Sequence, residues 1–250
     1  MDTTALLKNV QHREWPLPRG PWVMTQIWHE LLFAHWPLAP EMLRPLVPAV
    51  LPLDTYEGEA WVAVVPFRMS HVTPRGLPAV RGLSAFPELN VRTYVTVNGI
   101  PGVYFFSLDA GNPIAVALAR SLFHLPYYNA HMHCQRMAEE VHYKSVRTHR
   151  GAPSAEFMAL YRPIEPVAYA ERGSLLFWLT ERYALYTVVG SRLYRGDIHH
   201  AQWALQRAEW EVIHNSMTHS HHIPLPDMAP LLHYAHRQEV LIWPLRRIYR

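Results

Sequence analysis

Between residues 86 and 109 apolar and polar positions alternate with a period of two on either side of a turn signal. The run Phe86-Pro87-Glu88-Leu89-Asn90-Val91-Arg92-Thr93-Tyr94-Val95 leads to Asn98-Gly99, and Pro101-Gly102 prolongs the turn before Val103-Tyr104-Phe105-Phe106. β-Branched and aromatic residues flanking Asn-Gly predict two antiparallel strands joined as a hairpin. Alternation places Glu88, Asn90, Arg92 and Tyr94 on one face and Leu89, Val91, Thr93 and Val95 on the other. A strand with its polar row in water is the ordinary reading of such a pattern. The second strand, however, is apolar on both faces. A sheet covered on both sides would put the polar row inside a cavity, where it must be paired or functional.

The same patterning extends along the chain. Residues 1 to 15 read as a tail or first helical turn, and Pro16, Pro18, Gly20 and Pro21 then break the chain ahead of an apolar strand from Trp22 to Trp36. Ala39 to Leu46 suits a short helix that tolerates Pro40 in its first turn. Ala60 to Met69 is a near-continuous apolar strand, and Arg75 to Gly82 is a loop punctuated by Pro and Gly. Past Asp109 the period changes to a helical one: Ile114, Ala117, Leu118, Ser121, Leu122 and Leu125 predict a helix over 112–124, with Asn112 as its cap and Pro126 as its stop. Residues 139 to 151 read as an exposed strand or turn. Further strands are expected at Phe157–Arg162, Leu175–Thr180, Tyr183–Val189, Glu209–His214 and Glu239–Ile248, with a hairpin turning at Glu181-Arg182. About ten strands and few helices predict a mainly β chain: one antiparallel barrel or cone with peripheral helices, in a single domain spanning 1–250.

Composition narrows the function classes. Half of the 250 residues are hydrophobic and 17% are charged, enough to bury a sizeable core. All but two of the 23 basic residues are arginine, the exceptions being Lys8 and Lys144, and the net charge of +3 is spread rather than striped. Nucleic acid is therefore not an expected partner. No apolar run reaches the length of a membrane span, and Asp2, Lys8 and His12 occupy the place of an apolar signal core. With Cys134 as the single cysteine, a soluble cytoplasmic protein without a membrane partner is expected. Glycine-rich phosphate loops, nucleophile elbows and cysteine metal motifs are missing, so no cofactor is expected. The seventeen histidines invite a metal reading, but His219-Ser220-His221-His222 lies in a Pro-flanked polar stretch that reads as surface, and no metal site is assigned.

Several of these segments together carry a resemblance. Phe86 to Val95, Pro101 to Ala110 and Leu179-Thr180-Glu181-Arg182-Tyr183 resemble the YqjF-like family of uncharacterised bacterial proteins. More distantly the chain is similar to acetoacetate decarboxylase, whose barrel the resemblance implies here. Pro18-Arg19-Gly20-Pro21-Trp22 is similar to that enzyme's Pro-Arg-Gly-Pro-Tyr entry, Met42-Leu43-Arg44 to its first short helix, and Glu88 stands ten residues before Asn98-Gly99 as the enzyme's active-site glutamate stands before its own Asn-Gly. The main departure is Tyr127-Tyr128, where the decarboxylase carries the lysine pair that forms an imine with its β-keto acid. The enzyme's active-site arginine is also unmatched, with Ile27, Trp28 and His29 near its position.

An imine needs a desolvated amine beside another cation, and neither Lys8 in a tail nor Lys144 in a charged segment qualifies. The resemblance leaves Glu88, Tyr127 and Tyr128 as candidate catalytic groups, and His29, Asn90, Arg92, Tyr94 and Arg120 as candidate ligand contacts. Such a set could hold a carboxylate or enolate on Arg92, move a proton through Glu88 and polarise a carbonyl with a phenol. Two functions stay open: an acid–base enzyme acting on a small keto acid or carbonyl compound without an imine, and a barrel that sequesters a small, partly apolar carboxylate. A structural Glu88–Arg92 ion pair and a histidine metal site are the remaining readings. The expected partner is a small molecule, with self-association left open.

Overall fold

The computed structural model describes residues 1–80 and 82–248. Twelve strands form one sheet: β1 (Met24–Leu38), β2 (Ala60–Pro74), β3 (Phe86–Val97), β4 (Ile100–Ala110), β5 (Tyr127–Met137), β6 (Glu140–Arg147), β7 (Glu156–Pro163), β8 (Ala184–Val189), β9 (Arg192–His199), β10 (Gln206–Asn215), β11 (Leu231–Ile242) and β12 (Arg246–Ile248). The helices are α1 (Thr3–Lys8), α2 (Pro40–Leu43), α3 (Pro113–Phe123) and α4 (Leu175–Thr180). Strand order is β12-β9-β8-β4-β3-β2-β1-β11-β10-β7-β6-β5, and two further pairings, β9 with β11 and β4 with β5, bend the sheet into rings. Both rings share the segment β4-β3-β2-β1-β11. One closes through β8 and β9, the other through β10, β7, β6 and β5.

This arrangement explains why the shared strands are covered on both faces. Leu89, Val91 and Val95 pack into a large core with Leu32, Trp36, Tyr143, Phe157 and Tyr161. The opposite face meets a second cluster that includes Leu31, Phe33, Val65, Phe67 and Trp203. Both faces of β3 are largely buried, so burial holds its register: slipping by one residue would drive the Glu88 row into the apolar core.

The 86–109 hairpin forms as expected, with Asn98 and Gly99 at φ 51° and 74°, as its two-residue turn requires. Pairing is mainly antiparallel, but β4 runs parallel to both β5 and β8. At the β4–β8 crossing a Cβ on Gly102 would sit 2.6 Å from the Ala184 carbonyl oxygen, so glycine is required there. Asn112 caps α3 by accepting from the amides of Ile114 and Ala115, and His124 in the left-handed conformation ends the helix. The expected loop of 75–82 leads into β3; position 81 lies outside the described residues.

Four expectations need correction, the first being the strand at Glu239–Ile248, which is the end of β11 and all of β12 parted by Trp243-Pro244-Leu245. Leu175–Thr180 is a helix, capped by Ser174, whose hydroxyl accepts from the Phe177 amide at 3.2 Å. A six-residue apolar run does not distinguish a buried strand from a buried helix, and the cap decides. No hairpin turns at Glu181-Arg182; β8 pairs instead with β9 across Gly190-Ser191. Residues 140–147 are a strand exposed on one face only, with Val141, Tyr143, Ser145 and Arg147 buried on the other.

Candidate functional site

Inside the ring closed by β8 and β9 lies a cavity of about 500 Å³ whose walls are largely apolar. Its polar groups include Gln26 from β1, Ser84 from the stretch before β3, Glu88, Asn90 and Arg92 from β3, Tyr127 from the start of β5, and Thr180, Arg182 and His200 from the segments flanking β8 and β9. Trp28 and Trp203, stacked with centroids 5.9 Å apart, form part of the wall.

Glu88 is 3% exposed, and its Oε2 accepts a hydrogen bond from the Tyr127 hydroxyl at 2.7 Å. Burial raises the carboxyl to about 7, against the opposing hydrogen bonds from Tyr127 and Asn90, with the Asp109 charge adding to the rise. Burial, and then the neighbouring Glu88 charge, push the Tyr127 phenol well above its ordinary range, so it stays protonated and donates. Asn90 Oδ1 and Arg92 Nε are buried and have no hydrogen-bond partner among the described residues. The Arg92 guanidinium lies over the Phe33 ring at 5.2 Å and near the Tyr94 ring at 5.9 Å. No ion pair joins Glu88 to Arg92 among the described residues, so the structural-pair reading of this row falls away.

The other expected residues are placed differently. Tyr127 and Tyr128 are consecutive residues of β5 and so point to opposite faces, Tyr127 beside Leu108 and Tyr128 beside Asp109 in the parallel pairing with β4. Tyr128 therefore leaves the cavity and stacks on Arg147, 4.2 Å from its guanidinium. His29 is also outside: its Nε2 is 2.7 Å from Ser70 Oγ, and burial followed by Arg68 and Arg237 lowers it to about 4. The cause is a bulge at Glu30, φ 51°, which changes the strand's parity so that Gln26 and Trp28 before it, and Leu31 and Phe33 after it, line the cavity. Tyr94 lies fully buried behind the cavity wall, its hydroxyl 2.7 Å from His35 Nε2. Arg120 donates to the Tyr127 carbonyl at 2.7 Å, which positions the start of β5 without touching the cavity.

Two ionisable lining residues were not anticipated as site residues. Arg182 donates through Nη1 to Asp54 at 2.7 Å and through Nε to the Trp178 carbonyl at 2.6 Å, and its Nη2 has no partner among the described residues. His200 is 1% exposed, and burial lowers it to about 3, so it is neutral. Arg182 lies within the Leu179–Tyr183 motif, which carried the resemblance without assigning it a role; His200 carried no comparable signal. Lys8 and Lys144 are both exposed and line no part of the cavity. Among the described residues no three His, Cys, Asp or Glu side chains gather closely enough to hold a metal ion, and no helix is long and apolar enough to cross a membrane.

A ring-closed sheet around a buried glutamate defines the class by fold. The chain superposes on acetoacetate decarboxylase from Legionella pneumophila with a TM-score of 0.57 at 14% identity, covering 95% of this chain and 94% of that one. An acetoacetate decarboxylase-like enzyme from Sphingomonas wittichii RW1 gives 0.58 at 14% identity over 92% and 94% of the two chains. The enduracididine biosynthesis enzyme MppR complexed with pyruvate gives 0.60 at 10% identity over 94% and 93%. At these identities the likeness is one of fold. Within that fold the chain belongs to the DUF2071 family, described as an uncharacterized conserved protein, whose model matches residues 25–239. It is 49% identical over 242 residues to the uncharacterized protein YqjF of Bacillus subtilis strain 168, covering 97% of this chain and 99% of that protein.

Proposed function

We propose that the rings form a single-domain barrel whose cavity binds a carboxylate or carbonyl compound, with Glu88 exchanging protons at the bound molecule and no imine formed. The observation that carries this reading is one row of β3: a glutamate raised to about 7 beside Asn90 Oδ1 and Arg92 Nε, both buried and unpartnered. Buried polar atoms left open at a cavity wall favour a ligand that completes them. Arg92 would hold the anionic or enolate oxygen and Asn90 would accept a hydrogen bond. Glu88, near half-ionised at neutral pH, would accept a proton from carbon or return it. Its place on the same strand face as the two open polar atoms sets an acid–base group beside whatever they hold, which favours proton transfer over sequestration alone.

Absence of an imine is supported by the exposed positions of Lys8 and Lys144 and by Tyr127 standing where the resemblance would put lysine. Strands near both ends of the chain, β1 and β11, pair within the same ring, which supports one domain. A cytoplasmic location is in keeping with the free thiol of Cys134.

MppR is complexed with pyruvate, which makes 2-oxo acids reasonable first ligands. The test is a calorimetric titration of 2-oxo and 3-oxo acids, with product detection and borohydride present in a parallel series. Binding weakened by both Arg92→Ala and Arg92→Lys, with no covalent adduct, is expected, because lysine keeps the charge but loses the planar fork. Binding untouched by either substitution, or an adduct at Lys8 or Lys144, would overturn the reading.

A further inference from the structure

The cavity that contains Glu88 and Arg92 continues without a break to an apolar mouth. Three of its lining residues, Ile114, Leu118 and Leu122, recur every four residues along α3 and are 54%, 55% and 64% exposed. Facing them, Leu77, Val80 and Leu83, in the stretch between β2 and β3, are 61%, 52% and 37% exposed and line the same cavity. Solitary exposed apolar side chains are ordinary on a protein surface. Six gathered on the rim of one cavity are not. The rim is also held in shape: Asn112 caps α3 with its side-chain oxygen, while its amide donates to the carbonyls of Gly82 and Leu83 at 3.3 and 3.2 Å. Where α3 faces inward it carries the small Ala115 and Ala119, which leave room for an occupant. Arg120, the cation of this helix, is committed to the Tyr127 carbonyl and does not guard the opening.

We infer that the ligand is an amphiphile. Its carboxylate or carbonyl head lies on the Glu88–Asn90–Arg92 row, and a long apolar chain runs out between α3 and the segment carrying Leu77, Val80 and Leu83. This rests on the proposed function and specifies its substrate class. Size points the same way: about 500 Å³ lies within the range of roughly 300–1,000 Å³ that houses drug-sized ligands. A three- or four-carbon acid would fill a small part of it and leave apolar walls without contacts. Water is a poor substitute, since it needs two or more polar partners that those walls do not offer. An apolar chain would cover the walls and rim together.

Straight-chain 2-oxo acids from pyruvate to 2-oxododecanoate, titrated calorimetrically, provide the test. Affinity should climb by about fourfold per added methylene until the chain clears the rim. Leu118→Asp, on an exposed position that the fold does not need, should weaken the twelve-carbon acid at least tenfold and leave pyruvate within twofold. Arg92→Ala should weaken all lengths alike. Affinity independent of length, yet still sensitive to Arg92→Ala, would overturn the amphiphile and leave the proposed function standing. Length dependence shared by 1-dodecanol and indifferent to Arg92→Ala would keep the apolar channel and overturn the head-group site. No binding at any length overturns the inference. So does a dimer, seen by sedimentation, that Leu118→Asp separates while chain-length dependence stays intact, for the rim would then be an interface between copies.

Discussion

Two buried polar sets lie on the 86–109 hairpin, and they are built on opposite terms. On one face Asp109 receives Arg147 through Nε at 3.1 Å and Nη2 at 2.8 Å, with both side chains essentially unexposed. The Tyr128 ring covers that guanidinium from 4.2 Å. On the other face Glu88 has Tyr127, while Asn90 and Arg92 each keep a buried atom without a partner among the described residues. The first set is closed on itself and ties β4 to β6. The second is open toward a cavity. Burial alone therefore does not mark a site; both carboxyls are buried and both are raised, Asp109 to about 6 and Glu88 to about 7. Ser107 Oγ, on the Asp109 face, is also buried without a partner among the described residues, but it lines no part of the cavity; what differs is that the open atoms of Asn90 and Arg92 do, and that is the feature a ligand can use.

The largest effect that separates the two sets is on stability. Arg147→Ala leaves the Asp109 carboxyl buried without its cation and should cost about 3–5 kcal/mol in denaturant unfolding. Arg92→Ala, which breaks no ion pair, should cost much less. A similar loss for both would erase the distinction.

Next in size is the pH dependence assigned to Glu88. Its folded value lies above its unfolded one, 4.5 against about 7, so between these values the folded state holds a proton that the unfolded state has lost. Stability from this group falls as pH rises through that window, by about 3 kcal/mol in all. Glu88→Gln should remove that portion, so the variant gains on the parent from pH 5 to pH 8. An unchanged difference across the window would contradict the assignment.

Tyr127→Phe and Tyr128→Phe sharpen the comparison with a smaller effect. The first removes a hydrogen bond to a charged group and should cost about 1.5–3 kcal/mol at pH 8, where Glu88 is ionised, and less at pH 5.5. The second leaves Glu88 alone and should show no such pH sensitivity. Thermal unfolding of both variants at the two pH values decides it.

How far the site was legible follows from which rules operate locally. Alternation on β3 and the Asn98-Gly99 turn are local, and they put Glu88, Asn90 and Arg92 on one face, the one that lines the cavity, without reference to any tertiary contact. Asn112 and Pro113 marked α3 for the same reason. His29 was misplaced because a bulge at a non-glycine residue, Glu30, changes parity with no sequence signal. Strand alternation alone puts the neighbours Tyr127 and Tyr128 on opposite faces, but which of them meets the cavity is set by the pairing of β5 with β4, made by distant parts of the chain. Arg182 and His200 come from segments more than ninety positions beyond Glu88, and ring closure brings them to the cavity. No local pattern encodes that meeting.

The most direct test of the account is the titration of the Glu88 carboxyl itself, followed by ¹³C NMR on protein labelled at glutamate side chains, with Glu88→Gln to assign the signal. The account predicts a midpoint near 7 that shifts when a 2-oxo acid is bound. A midpoint at the ordinary value of about 4.5, indifferent to ligand, would contradict it.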